Sequence, residues 1–265
     1  MIARHFGWTA DPFDREIPTE ALVSFSSHRE GCARLLYAAE HRQVALLTGD
    51  TGMGKTTVVR AAMHQLDATR FESLYVATAG LTSQSLVRLL LERLHLEPCF
   101  RYTENQSLVG QALLDRYAAG QQVVLVIDEA HDLPPGLLGQ LRFLLNFRAD
   151  SFSPFSLWLV GQSELRETLR LRVLAPLSQR IEVRYAMSAM TSEELVVYMK
   201  EQLLRVGEER MVFATEAITQ IGKLSKRVPR VVNGICKAAL LNAVVHGEQV
   251  VGVANIESAW LEVAG

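Results

Sequence analysis

Eight residues, Gly49-Asp50-Thr51-Gly52-Met53-Gly54-Lys55-Thr56, constrain this chain more than any other stretch. The apolar run Val44-Ala45-Leu46-Leu47-Thr48 leads straight into them, and Thr56 to Leu66 carries apolar residues at helical spacing. A strand, a glycine turn and a helix therefore follow one another with the spacing GxxxxGK[ST]. Glycines let successive backbone N–H groups turn inward, and the start of a helix adds positive potential, so this loop is built to cradle a phosphate. The plain alternative, a glycine turn with a surface lysine, leaves the flanking strand and helix unexplained.

The rest of the chain supplies the context such a loop needs. Helical spacing recurs over 28–41, 83–94, 108–119 and 137–147, with apolar strands at 74–77, 123–127, 155–160 and 181–183. Val123-Val124-Leu125-Val126-Ile127 is apolar on both faces, the mark of a central strand in a parallel sheet. Strand alternating with helix predicts a three-layer α/β sandwich. After Ala189 only helical signals remain: the capping box Thr191-Ser192-Glu193-Glu194, a second helix capped by Thr215, a third from Pro229 to Gly247, and a fourth opened by Asn255. The expected organisation is an irregular arm (1–27) packing on the core, an α/β core (28–188) and a small all-helical lid (189–265). Pro98 to Gln106 reads as a loop.

Asp128-Glu129 closes the most apolar strand. Two carboxylates directly after five apolar residues are costly as mere core, and the carboxyl edge of a parallel sheet faces the ligand crevice. With the phosphate loop they make a nucleoside triphosphatase: Gly49, Asp50, Thr51, Gly52, Met53, Gly54, Lys55, Thr56 and Thr57 bind ATP, Thr56 and Asp128 hold Mg²⁺, and Glu129 polarises the attacking water.

Composition excludes other classes. Lys+Arg total 27 and Asp+Glu 29, a net charge of -2, so the chain is no globally basic nucleic-acid coat. Three cysteines, Cys32, Cys99 and Cys236, lack disulfide or zinc spacing, and the seven histidines are scattered. No apolar run approaches about 18 residues and no signal peptide opens the chain, so a cytoplasmic protein without a membrane span is expected.

These motifs and the helical lid resemble the AAA+ ATPases. More closely, His5-Phe6-Gly7-Trp8, Pro12-Phe13, His28-Arg29-Glu30, Leu159-Val160-Gly161-Gln162, Leu177-Ser178-Gln179-Arg180-Ile181 and Pro229-Arg230-Val231-Val232-Asn233 are similar to the ExeA-type branch, related to the transposition regulators MuB, IstB, TniB and TnsC. The resemblance covers nearly the whole chain. It implies that Gln162 is the sensor 1 residue beside the γ-phosphate, that Arg180 is the arginine finger acting on an adjacent subunit's nucleotide, and that Arg230 is sensor 2. Arg166, Arg170, Arg172 and Arg184 are rivals to Arg180. Thr78 stands where the family often has an asparagine that restrains Glu129. The family also prefers small residues or glycine before Pro229-Arg230, where this chain has Lys226-Arg227-Val228.

Between Ile221 and Leu240 lie Lys223, Lys226, Arg227, Arg230 and Lys237 with no acidic residue. A DNA-phosphate face and an ordinary solvated lid face satisfy that composition equally. Arg101 and Thr103, beside Phe100 and Tyr102, form a second DNA candidate, again balanced against an ordinary loop with its aromatics packed inward. The leading expectation is an ATP-dependent regulator of transposition. It would assemble as a homo-oligomeric ring or filament on duplex DNA, recruit a transposase, and disassemble on hydrolysis. The alternative is an ExeA-like ATPase supporting a secretion or envelope complex, which would carry a membrane span and a cell-wall-binding extension. A nucleotide-gated scaffold that barely hydrolyses ATP is the third reading, opposed by the intact Glu129.

Overall fold

The computed structural model describes residues 1–14, 18–19, 22–77, 81–147 and 152–264. The chain divides into two compact units. One, Glu30–Asp50 with Val58–Met187, is an α/β sandwich. The other comprises Met1–Arg29, Thr51–Thr57 and Ser188–Gly265, and the longer elements described in it are helices.

In the α/β unit the strands β1 (Val44–Thr48), β2 (Phe71–Ala77), β3 (Gln122–Asp128), β4 (Phe155–Gly161) and β5 (Ile181–Ala186) form a five-stranded sheet in the order β2-β3-β4-β1-β5. Every pairing is parallel. Parallel strands require crossovers, so both faces are covered, and β1 and β4 are buried at every residue. Alternation assigns the faces. Leu46, Leu125, Ile127, Leu157 and Leu159 join one core with the apolar sides of α4 (Ser83–Arg93), α5 (Tyr102–Ala118) and α6 (Pro135–Leu144). On the other face, a Cβ at Gly31 of α2 (Ser26–Glu40) would stand 3.2 Å from Val58 of α3 (Lys55–Gln65) and 3.5 Å from Leu47. A glycine there brings α2 close to the sheet.

The pairing aligns the carboxyl ends of all five strands. Thr48 lies opposite Gly161 and Ala186, and Ala77 opposite Asp128, so one edge carries the loops after β1, β3 and β4. The expected loop 98–106 is shorter than the sequence suggests. α5 begins at Tyr102, where Asn105 fixes the turn by accepting from the Cys99 N–H (2.6 Å) and donating to the Cys99 carbonyl (3.0 Å).

In the helical unit, α9 (Ser192–Leu204), α10 (Thr215–Leu224), α11 (Pro229–His246) and α12 (Val253–Ala264) surround a second core. The Thr191 capping box forms as expected. The arm differs from its expectation. Ile2–Phe6 is a short helix (α1), and Ile2, Phe6, Trp8, Phe13 and Phe25 are buried among the residues of α9–α12 rather than on the α/β core. The reason is aromatic content: Phe6 stacks on Trp8 (4.4 Å), and the Trp8 indole N–H donates to Glu208 (3.1 Å).

α7 (Glu164–Thr168) and α8 (Ala175–Ser178) are short helices between β4 and β5. Among the described residues, no helix is long and apolar enough to cross a membrane.

Candidate functional site

The phosphate loop leaves β1 at Thr48. Its first residues belong to the sheet edge: the Gly49 N–H donates to the Gly161 carbonyl (3.3 Å), and Ser163 Oγ donates to Asp50 Oδ1 (2.6 Å). Gly52 and Gly54 adopt φ of +85° and +87°, open to glycine and strained for other residues. Their surroundings are as restrictive as their dihedrals. A Cβ on Gly54 would lie 2.6 Å from Nε2 of His28, and one on Gly52 would lie 2.8 Å from Cβ of Arg230.

His28 is the support under this loop. It is buried, packs 3.8 Å from the Phe25 ring, and donates Nε2–H to the Met53 carbonyl (2.8 Å). Burial holds its pKa below the usual histidine value, against the smaller opposing effect of the Met53 hydrogen bond. Arg230 occupies the first turn of α11, where Pro229 opens the helix, and its backbone N–H donates to the Gly52 carbonyl (3.2 Å). Lys55 starts α3 and is 7% exposed, while Thr56 beside it is exposed. A glycine loop leading into a helix, with a buried lysine and an exposed threonine at its start, has the composition of a phosphate cradle.

At the edge of β3, Asp128 is 2% exposed. Tyr75 on β2 donates its hydroxyl to Asp128 Oδ2 (2.7 Å), and the Glu129 N–H donates to Oδ1 (2.8 Å). Glu129 has a φ of +53° and a half-exposed side chain, so the backbone turns sharply to lift this carboxylate from the strand end. His131 lies beneath it, with Nδ1 3.4 Å from Glu129 Oε2 and Nε2 2.7 Å from Gln162 Nε2. Gln162 follows β4, so parallel register brings the sensor candidate next to the β3 edge. Tyr75 and His131 were not among the sequence candidates, and only the sheet register reveals them.

Arg180 sits elsewhere in the α/β unit. It precedes Ile181, whose partner is Val44 at the amino end of β1, and its guanidinium donates to the Pro176 carbonyl (3.2 Å). The length of β1, about 16 Å at ~3.3 Å per residue, separates that edge from the carboxyl edge. Of its rivals, Arg166, Arg170 and Arg184 line a cavity of about 180 Å³ with Thr48 and Ser178, and Arg170 is paired with Glu167 (2.7 Å).

The DNA candidates divide. Phe100 is fully exposed and Arg101 is exposed beside Glu104 (3.4 Å), whereas Tyr102 packs against the α/β core and Thr103 lies in the first turn of α5. Lys223 and Lys226 are exposed. Arg227 is committed to structure, its Nε donating to the Met190 carbonyl (2.8 Å). Lys226 and Arg227 have φ of +49° and +58°, which explains why glycine suits these positions in the family pattern. Lys237 meets Asp14 (3.4 Å). Thr78 lies outside the described residues. Among the described residues, no group of His, Cys, Asp and Glu has the makings of a multi-ligand metal centre.

Residues 38–169 match the AAA domain family. Over 272 aligned residues, the whole of this chain is 32% identical to general secretion pathway protein A of Aeromonas hydrophila and spans 49% of that protein. The fold is similar to the ORC2 protein of Aeropyrum pernix in its ADPNP-ADP complexes (TM-score 0.71, 14% identity, 96% of this chain and 72% of that chain). It is also similar to the ORC1 protein of Aeropyrum pernix in complex with DNA (TM-score 0.69, 19% identity, 97% of this chain and 70% of that chain). At these identities the two structures speak for the fold alone.

Proposed function

We propose, for a chain that carries an AAA domain and has the α/β P-loop AAA+ fold, an ATPase of the ExeA type whose nucleotide state controls assembly of a secretion or envelope complex. The chain spans about half the length of the curated relative it matches, so the partners in that complex belong to the proposal. One observation carries the choice: the alignment at 32% identity covers the whole of this chain. That likeness favours the secretion reading over regulation of transposition. A transposase partner, and assembly on duplex DNA, rest only on the family resemblance seen in the sequence.

The residues fit the chemistry. Thr51 to Gly54 and the start of α3 offer backbone N–H groups to the phosphates, and Lys55 adds a fixed positive charge. Thr56 and Asp128 would hold Mg²⁺, which supplies charge neutralisation when bound. Glu129 takes the proton of a water attacking the γ-phosphorus, the P–O bond to ADP breaks, and inorganic phosphate leaves. Gln162 orients that water, Arg230 couples the nucleotide to α11, and Arg180 serves a neighbouring copy's nucleotide, so turnover depends on self-assembly.

The test is steady-state ATP hydrolysis by the wild type and Lys55→Ala, with assembly followed by light scattering in ATP and in ADP. Lys55→Ala loses nucleotide binding and assembly; normal ATP affinity in that variant removes the proposal. Co-purification from the source cell in the ATP state, with Glu129→Gln as trap, should return envelope components. Recovery of a transposase, with ATP-dependent filaments on duplex DNA, selects the other reading.

A further inference from the structure

We infer that His131 is a positioning residue that ties the catalytic carboxylate Glu129 to the sensor Gln162; this inference rests on the ATPase reading above. Three side chains, from the turn after β3 and from the end of β4, lie around its ring. From the turn after β3 comes Glu129, whose Oε2 is 3.4 Å from Nδ1. From the end of β4 comes Gln162, whose side-chain Nε2 is 2.7 Å from His131 Nε2 and whose backbone N–H donates to Nδ1 (3.3 Å). Asp132 Oδ1 approaches Nε2 at 3.6 Å. The ring is 13% exposed, against 48% for the Glu129 side chain above it, so the histidine is the enclosed member and the glutamate the one facing outward.

Backbone chemistry makes room for this arrangement. Gly161 ends β4, and a Cβ there would stand 3.2 Å from the His131 N and 3.4 Å from its Nδ1, with Leu165 at 2.9 Å. Any larger residue would push His131 away from β4. Glu129 is held in the left-handed region at φ +53°, so its carboxylate turns back over the residue two positions later. A general base must be held within about 3 Å of its water to act, so a contact that helps fix the Glu129 carboxylate bears on the rate.

Neutral histidine has two tautomers, and each uses the neighbours differently. With the proton on Nδ1, His131 turns that N–H toward Glu129 and accepts the Gln162 side-chain amide at Nε2, while the Gln162 backbone N–H gives up Nδ1 as its acceptor. That is a continuous chain from sensor to base. With the proton on Nε2, Nδ1 accepts the Gln162 backbone N–H and the donor to Glu129 is lost. The first form is the active one. Movement of Gln162 on loss of the γ-phosphate then reaches Glu129 through a single ring, and the base is released when there is nothing left to hydrolyse.

The experiment combines kinetics with a measurement independent of turnover. His131→Ala should lower kcat by about 10- to 100-fold while the dissociation constant for a non-hydrolysed ATP analogue stays within about twofold. His131→Gln, whose amide both donates and accepts, should recover part of the loss. In the cycle His131→Ala, Gln162→Ala and the double variant, the double should be no slower than the slower single, because one chain is broken twice. Unchanged kcat in His131→Ala, or losses that multiply in the double variant, overturns the inference. Imidazole ¹⁵N shifts of the wild type should show the Nδ1–H tautomer, changed in Glu129→Gln; an Nε2–H tautomer overturns it as well. Absence of turnover in the wild type defeats the ATPase reading instead, and the ¹⁵N shifts still decide whether His131 is bound to Glu129.

Discussion

Tyr75 donates its hydroxyl to Oδ2 of Asp128 at 2.7 Å, joining two adjacent parallel strands at the edge where the phosphate loop begins. A carboxylate only 2% exposed needs such a donor, since a buried charge without partners is strongly disfavoured. Tyr75→Phe should therefore cost about 1–3 kcal/mol of stability, read from urea denaturation. Burial and the Asp128 charge push the phenol's pKa well above its ordinary value of 10.0. The phenol is then protonated in both folded and unfolded chains below that value, and its contribution is lost as pH rises beyond it. Wild-type stability should fall above about pH 10, less steeply in Tyr75→Phe. Equal alkaline slopes would remove the hydrogen bond from the account.

Gly54→Ala should weaken binding of a fluorescent ATP analogue by roughly tenfold or more. The added methyl meets the buried His28 ring at 2.6 Å on a residue with φ of +87°, a strain of about 1–3 kcal/mol. His28→Ala opens that space and, in the double variant, should restore part of the affinity. If His28→Ala makes no difference to Gly54→Ala, the ring is not what confines the loop.

Glu208 couples the arm to the helical unit. Arg210 grips its carboxylate through Nε and Nη2 (both 3.0 Å), and Trp8 donates at 3.1 Å. Hydrogen bonds from Arg210, with the smaller contribution of Trp8, hold its pKa at about 2, below the ordinary 4.5. A depressed carboxyl pKa stabilises the fold above the unfolded value, and that stabilisation disappears as pH falls from about 4.5 to 2. Thermal melts of Glu208→Gln should start lower at pH 7 and decline less over that acid interval. Parallel curves for the two proteins would refute the assignment.

Lys226 and Arg227 occupy the same backbone region but should respond oppositely to glycine. Lys226 is exposed at φ +49°, so Lys226→Gly relieves strain and should stabilise by about 0.5 kcal/mol. Arg227→Gly loses the bond to the Met190 carbonyl and should destabilise. Chemical denaturation of both variants decides it, and a loss of stability in Lys226→Gly would contradict the strain argument.

Arg180→Ala should keep ATP binding but lower assembly-stimulated turnover by about 1,000-fold, as expected of a finger supplied by another copy. Its place at the amino edge of β5 sets it a strand's length from its own Asp128 edge. Arg166, Arg170 and Arg184 line a separate cavity, so full stimulated turnover in Arg180→Ala would transfer the role to one of them.

The sequence by itself determined the alternation of strand and helix, the parallel sheet, the phosphate loop and the carboxylates after β3. Each is a relation between near neighbours in the chain: an apolar period, a glycine spacing, a charge after a buried run. Element ends were less legible. The start of α5 at Tyr102 depends on Asn105 folding back on Cys99, and the arm's aromatics are committed by Glu208, about 200 residues away. Tertiary structure alone decided what holds the site. Tyr75 meets Asp128, His131 meets Gln162, and His28 meets Gly54 because register and packing bring together residues that are 53, 31 and 26 positions apart. No local pattern marks a tyrosine on a strand, or a histidine after two carboxylates, as the partner of a distant residue; that pairing appears only when neighbouring strands align their ends.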